Sequence, residues 1–193
     1  MRPVLILSAA QARETGSAAR AYLRVAPVST AASAKELDAA IGLAPRGVFL
    51  EQAADGGDVA RLAARIAVAE ARHGLPDGSI RIIASTAHDG ASLLSLSTFR
   101  TASPRLEGLA FDAAALSSRL GVPEDSEPIR FARALALFAA HAAGAAAVAG
   151  PFPSGDPEAV RRAAMEAGRQ GYAAALATSL DEADAISGDR TRA

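Results

Sequence analysis

Cysteine is absent from the 193 residues. That excludes disulfides and thiolate metal sites, and it leaves the redox compartment unstated. An excess of charge is absent as well. Twenty Lys and Arg, scattered along the chain, stand against 21 Asp and Glu, for a net charge of -1. No electrostatic footprint for nucleic acid results. Apolar runs of the ~18 residues needed for a membrane span are missing, and the alanine-rich Ala142–Gly150 is too short and too poor in bulk. The first ten residues carry one Arg and a short apolar run without a cleavage signal. A cytoplasmic protein that neither spans a membrane nor binds nucleic acid is therefore expected. Low-complexity linkers and exact repeats are missing too. Gly56 and Gly57 precede a helix but lack the lysine and spacing of a phosphate loop, so they read as a plain turn. Ser8, Ser85 and Ser179 lack a nucleophile-elbow context, which leaves no support for an acyl-transfer triad.

What is present is ordinary for a globular protein: 50% hydrophobic and 21% charged residues. The length suits one domain able to bury most of its apolar surface. We place that domain at residues 1–187 and a frayed tail at 188–193. Short apolar runs alternate with helical patterns. Strands are expected at Pro3–Ser8, Tyr22–Val28, Gly47–Leu50, Ser79–Thr86, Gly108–Phe111, Ala145–Ala149 and Tyr172–Thr178. Helices are expected at Ala9–Ala21 (weakened by Gly16), Ser33–Ile41, Asp58–His73, Ser92–Thr101, Ala113–Leu120, Pro128–Ala143, Asp156–Gly171 and Asp181–Ile186. Ser33 with Glu36 suggests a capping box. Val59, Leu62 and Ile66 form an apolar stripe, as do Phe131, Leu135 and Phe138. Asp156-Pro157-Glu158 opens a helix by cap, proline and first-turn acid together. Strands alternating with helices imply an α/β fold of parallel units. Seven strands fall one short of a (β/α)₈ barrel, and the chain is shorter than the ~250 residues typical of one.

Several segments resemble, in order and wording, the β-subunit of citrate lyase and the HpcH/HpaI aldolase superfamily. They are YLRVAPV from Tyr22, LDAAIGLAPRGVFLEQ from Leu37, AEARHGLPDGSIRIIAS from Ala69, TASPRLEGLAFDAAALSSRLGV from Thr101, VAGPFPSGDPEAV from Val148 and GRQGYAAALA from Gly168. The resemblance covers Arg20 to the C-terminus and is most specific between Ser79 and Gly121. It implies a (β/α) TIM-type barrel, here shortened to seven strands, and a trimer or other homo-oligomer. It also implies a magnesium-dependent lyase that cleaves carbon–carbon bonds in 3-hydroxy acids or their coenzyme A thioesters. There a glutamate and an aspartate hold the metal, because a hard cation takes carboxylate oxygens.

This sequence departs from that pattern at the residues that carry the chemistry. The metal glutamate falls on Ala87, and the metal aspartate on Ala114 or Ala115. A proline and lysine fall on Glu51 and Gln52. A lysine and a histidine–proline pair fall around Ala175, Ser179 and Leu180. If Pro3–Ser8 is the second strand, an acidic pair has become Ala9-Ala10 and the first strand is absent. Arg24 matches the arginine that holds a substrate carboxylate, although its asparagine neighbour has become Ala26. The expectation is a lyase-like protein without the lyase reaction, with a binding, structural or regulatory role, acting alone or beside an active relative, and with no cofactor. The alternative is a lyase whose site has moved, with Mg²⁺ held among Glu51, His88, Asp89 and Asp112 near Arg24. Plainer readings stand beside it. Asp89 and Asp112 would cap the helices that follow them, Arg24 would pair with Glu51 or Asp112, and Arg81 would pair at the opposite face. His73 reads as a helix C-terminal cation and His141 as structural. A missing strand would leave an open edge, closed by rearrangement or by a partner chain.

Overall fold

Alternation of large apolar residues builds seven parallel strands that close on themselves. In the computed structural model, which describes residues 1–30, 32–152 and 156–188, the strands are β1 (Arg2–Leu7), β2 (Tyr22–Val25), β3 (Gly47–Ala53), β4 (Arg81–Thr86), β5 (Leu106–Phe111), β6 (Ala146–Ala149) and β7 (Ala174–Ala177). Neighbours in sequence are neighbours in the barrel, and β7 pairs with β1 in the register Arg2↔Ala174 to Leu5↔Ala177. That pairing takes up both free edges. The gap between seven strands and eight is thus closed within the chain by rearrangement, and no partner strand is needed to cover it.

The helices around the barrel are α1 (Ala9–Thr15), α2 (Ala32–Ile41), α3 (Gly56–His73), α4 (Gly90–Leu94), α5 (Ala113–Leu120), α6 (Glu127–Ala142), α7 (Pro157–Arg169) and α8 (Leu180–Ser187). Short 3₁₀ turns lie at Ala18–Arg20 and Leu96–Thr101. None of the helices is long and apolar enough to cross a membrane. Of the frayed tail expected at 188–193, Gly188 caps α8 in the left-handed conformation (φ 77°), and the rest lies outside the described residues.

Period-two alternation sorts each strand into two layers. Val4, Ile6, Tyr22, Phe49, Ile83, Ala110, Val148, Ala174 and Leu176 fill the barrel interior. Leu5, Leu7, Leu23, Val48, Leu50 and Ile82 point outward to the helices. Barrel diameter falls with strand number, so this interior is narrow. It accommodates Tyr22 only because Gly47 has no side chain. A Cβ there would meet the Tyr22 ring at 2.6 Å and the Arg81 carbonyl at 2.5 Å.

Several local expectations change. Ser33 lies inside α2 rather than capping it, and Glu36 accepts from the Ala26 amide at 2.9 Å. The expected capping box is therefore absent. Gly56 and Gly57 form the first turn of α3, and Asp55 caps it. The helix expected over Ala9–Ala21 ends at Thr15 because Gly16 adopts the left-handed conformation (φ 63°). The helix expected over Ser92–Thr101 is split, α4 ending before the 3₁₀ turn. On α6 the buried face is Ile129, Ala132, Ala136 and Ala140, which leaves Phe131 and Phe138 exposed. Alanine lets this helix approach the strands closely, and the phenylalanine face turns outward.

Candidate functional site

The inward register places polar side chains where the strands end. On β2 the residue two beyond Tyr22 is Arg24, on β3 the residue two beyond Phe49 is Glu51, and on β4 the residue two beyond Ile83 is Ser85. With Gln52, Asp112 and Thr178 they line a cavity of about 300 Å³ at the C-terminal mouth of the barrel. Ile6, Phe49, Phe111 and Leu176 form its apolar wall. This is the end of a (β/α) barrel at which chemistry is done.

Arg24 Nη1 donates to Glu51 Oε1 at 2.9 Å. Both side chains remain about two-fifths exposed to the mouth, at 43% and 38%. The pair is therefore solvent-screened and contributes little to stability, but it sets the two charges side by side in the cavity. Asp112 caps α5, its Oδ1 accepting from the Ala115 amide at 3.1 Å. Asp89 caps α4 in a reciprocal box with Ser92. The Ser92 backbone and hydroxyl hold its carboxyl below the ordinary value, and His88 and Arg119 add to that.

The structure thus brings Arg24, Glu51 and Asp112 to one cavity and leaves His88 and Asp89 outside it. His88 is buried beside the rim, its Nε2 3.7 Å from Asp89 Oδ2 and its Nδ1 without a hydrogen-bond partner among the described residues. The divergence begins at Ala87, whose backbone is left-handed (φ 57°). That conformation turns the chain at the end of β4. Gln52, at the end of β3, is left-handed as well (φ 48°). Strain of this kind costs of order 1–3 kcal/mol and collects at functional rims. Ser85 and Gln52 are named in the sequence reading without a place in a site, and Thr178 only as the end of a strand. Counting by two from the inward core residues of each strand would have found Ser85 and Thr178.

A second cavity of about 500 Å³ adjoins the first and shares Phe111, Asp112, Gly150 and Pro151 with it. The Arg133 guanidinium lies 5.8 Å from the Phe111 ring centre in this chamber. Burial raises the Tyr172 hydroxyl above its ordinary range there, and Arg133 opposes that shift.

The positions that match the metal carboxylates hold no side-chain ligand for a magnesium ion. Ala87, Ala114 and Ala115 offer no oxygen from their side chains. The two carboxylates in the mouth are engaged, one by Arg24 and one by the α5 backbone. Among the described residues no three His, Asp or Glu side chains are grouped as a metal site. What the mouth does offer is a guanidinium, two carboxylates, two hydroxyls and an amide around a small apolar floor. That combination is able to orient a small polar molecule by charge and hydrogen bonding.

No protein-family model and no curated protein matches the sequence. Solved structures do match the fold. RipC from Yersinia pestis superposes with a TM-score of 0.76 at 20% identity, over 97% of this chain and 94% of that one. A citrate lyase from Burkholderia xenovorans gives 0.75 at 18% identity, over 88% of this chain but only 57% of its own length. A citrate lyase β-subunit from Mycobacterium tuberculosis, complexed with oxaloacetate and magnesium, gives 0.69 at 20% identity, over 95% of this chain and 84% of that one. At these identities the likeness establishes a shared barrel fold.

Proposed function

We propose that this chain is a shortened relative of the citrate lyase β-subunit, within the HpcH/HpaI aldolase superfamily. In this reading it has lost the magnesium-dependent carbon–carbon lyase reaction and uses the barrel mouth to bind a small polar ligand. The shared fold and the ordered sequence resemblance support the first part. One observation carries the second: the positions matching the metal carboxylates are alanines, and the carboxylates remaining in the mouth already have partners. Two lost ligands leave a hard cation without its oxygen cage. Without the cation, an enolate forming in the mouth lacks its main electrostatic stabilisation. A cytoplasmic setting, a homo-oligomer and action beside an active relative belong to the same proposal.

Calorimetric titration with Mg²⁺, run beside cleavage assays on malyl-, citramalyl- and citryl-thioesters, tests it. The expected result is neither saturable Mg²⁺ binding nor cleavage. Stoichiometric Mg²⁺ binding together with turnover of any of these thioesters would overturn it.

A second reading rests on the convergence of Arg24, Glu51 and Asp112 on one cavity. In it a relocated site retains lyase chemistry, with Arg24 holding a substrate carboxylate. Glu51→Gln and Asp112→Asn would then each abolish turnover without loss of fold. If neither the parent protein nor either variant turns over a thioester, this second reading fails.

A further inference from the structure

The opposite mouth of the barrel carries more positive charge than its ion pairs use. Arg2, at the start of β1, and Arg46, just before β3, both bond Oε1 of Glu107, Arg46 at 3.0 Å. Arg81 Nε lies 4.0 Å from Oε2, the oxygen that also accepts the Tyr22 hydroxyl. One carboxylate, 15% exposed, thus serves three guanidinium groups. Beside this cluster opens a cavity of about 290 Å³ whose charged lining residues are Arg2, Arg20 and Arg46, with no acid among them. Arg20 is exposed and makes no ion pair among the described residues. Four guanidinium charges against one carboxylate leave a formal charge of +3.

We propose that this cavity binds the phosphate group of a small phosphomonoester or free phosphate. Charge selects the ligand. A phosphate dianion offsets the surplus about twice as well as a carboxylate does, and guanidinium forks match its oxygens bidentately. The donors are also preorganised. Arg46 is held by Nε on the Tyr22 hydroxyl at 3.0 Å and by Nη2 on Glu107, and its Nη1 has no partner among the described residues. Among the described residues Arg2 uses only Nη1, on Glu107. The volume is at the small end of ligand sites, enough for a phosphate and a few further atoms. A stabilising role at this end of a barrel accounts for the Glu107 cluster, and Arg20 makes no ion pair with it.

The site lies at the other end of the barrel from Arg24 and Glu51, so it stands or falls separately from the reading of that mouth. Thermal unfolding of the full chain would be followed in inorganic phosphate, glycerol phosphate, acetate and chloride at matched ionic strength. Phosphate at about tenfold its Kd should raise Tm by roughly 3–6 °C over chloride, with acetate near chloride. Arg20→Ala, which leaves the Glu107 cluster intact, should weaken phosphate affinity about tenfold and cut the Tm rise to about a third. The Arg2→Ala/Arg20→Ala double variant should abolish it, and Arg24→Ala should leave it unchanged. A larger response to glycerol phosphate assigns a phosphomonoester, and an equal one assigns free phosphate. A phosphate response no greater than that of chloride, or one that survives in the double variant as a bulk salt effect would, overturns the proposal.

Discussion

Glu70 is an ionised side chain almost wholly removed from water, at 1% exposure. Arg105 meets it with both ends of its fork, at 2.8 and 2.7 Å, and the Ile80 and Gly78 amides and the Ser79 hydroxyl also donate to it, at 2.8, 3.1 and 3.3 Å. Burial alone would raise the Glu70 carboxyl, but the Arg105 and backbone hydrogen bonds outweigh it and hold the carboxyl below its ordinary value. Breaking such a pair leaves an uncompensated buried charge. Arg105→Met, which keeps the volume, should destabilise the protein by about 3–5 kcal/mol in urea unfolding. A loss under about 1 kcal/mol would show that Glu70 does not depend on this partner. At this scale the sequence was uneven. The Arg24–Glu51 pair was legible because an arginine in an apolar strand needs a partner. Glu107 was not. The register shifts between Ile82 and Ile83 where β4 pairs with β5, so Glu107 falls outside the simple alternation that sorts the other strand residues. No count along one strand reveals a bulge made by two.

At the scale of elements, caps and periodicity located most boundaries. All seven strands and every principal helix stand near their expected places. The errors share a cause: local rules give way to tertiary partners. Glu36 left its expected box for the Ala26 amide. On α6 the apolar stripe was real, but its phenylalanines face outward at 64% and 65% exposure while Ile129 is fully buried. A hydrophobicity pattern weights Phe above Ala, whereas a helix lying close on a narrow barrel needs the small face inside. Phe138→Gln should therefore change stability by no more than about 0.5 kcal/mol. Ile129→Ala should cost roughly 2–5 kcal/mol. If chemical denaturation gave Phe138→Gln a cost as large as Ile129→Ala, the outer face of α6 would have to be covered in solution.

At the scale of the whole molecule, the strand count was readable but the closure was not. Alternation says which side chains share a layer, not which strands meet after the chain has turned full circle. The β7–β1 pairing joins residues more than 170 positions apart, and such non-local pairs leave no periodic trace. The N-terminal mouth is where the circle is tied, since Glu107 gathers Arg2, Tyr22, Arg46 and Arg81 from the first four strands and their approaches onto the fifth. Burial opposes the Glu107 charge, but Tyr22, Arg2 and Arg46 hydrogen bonds override it and hold its carboxyl down at about 2 from 4.5. A carboxyl depressed in the folded state contributes stability that is fully present above its unfolded value and is lost as pH falls through the folded one. The window is therefore about pH 4.5 down to about pH 2. Because the arginines are close to half exposed, the contribution is roughly 1–3 kcal/mol rather than the full value of the shift. Glu107→Gln should lower stability by that amount at about pH 7 and converge on the parent protein toward about pH 2. Urea unfolding of both proteins across the window checks it, because Glu70 is common to both and cancels in the difference. A gap between the two that stayed constant with pH would mean that Glu107 contributes by packing alone, and that its charge does not bind the five strands together.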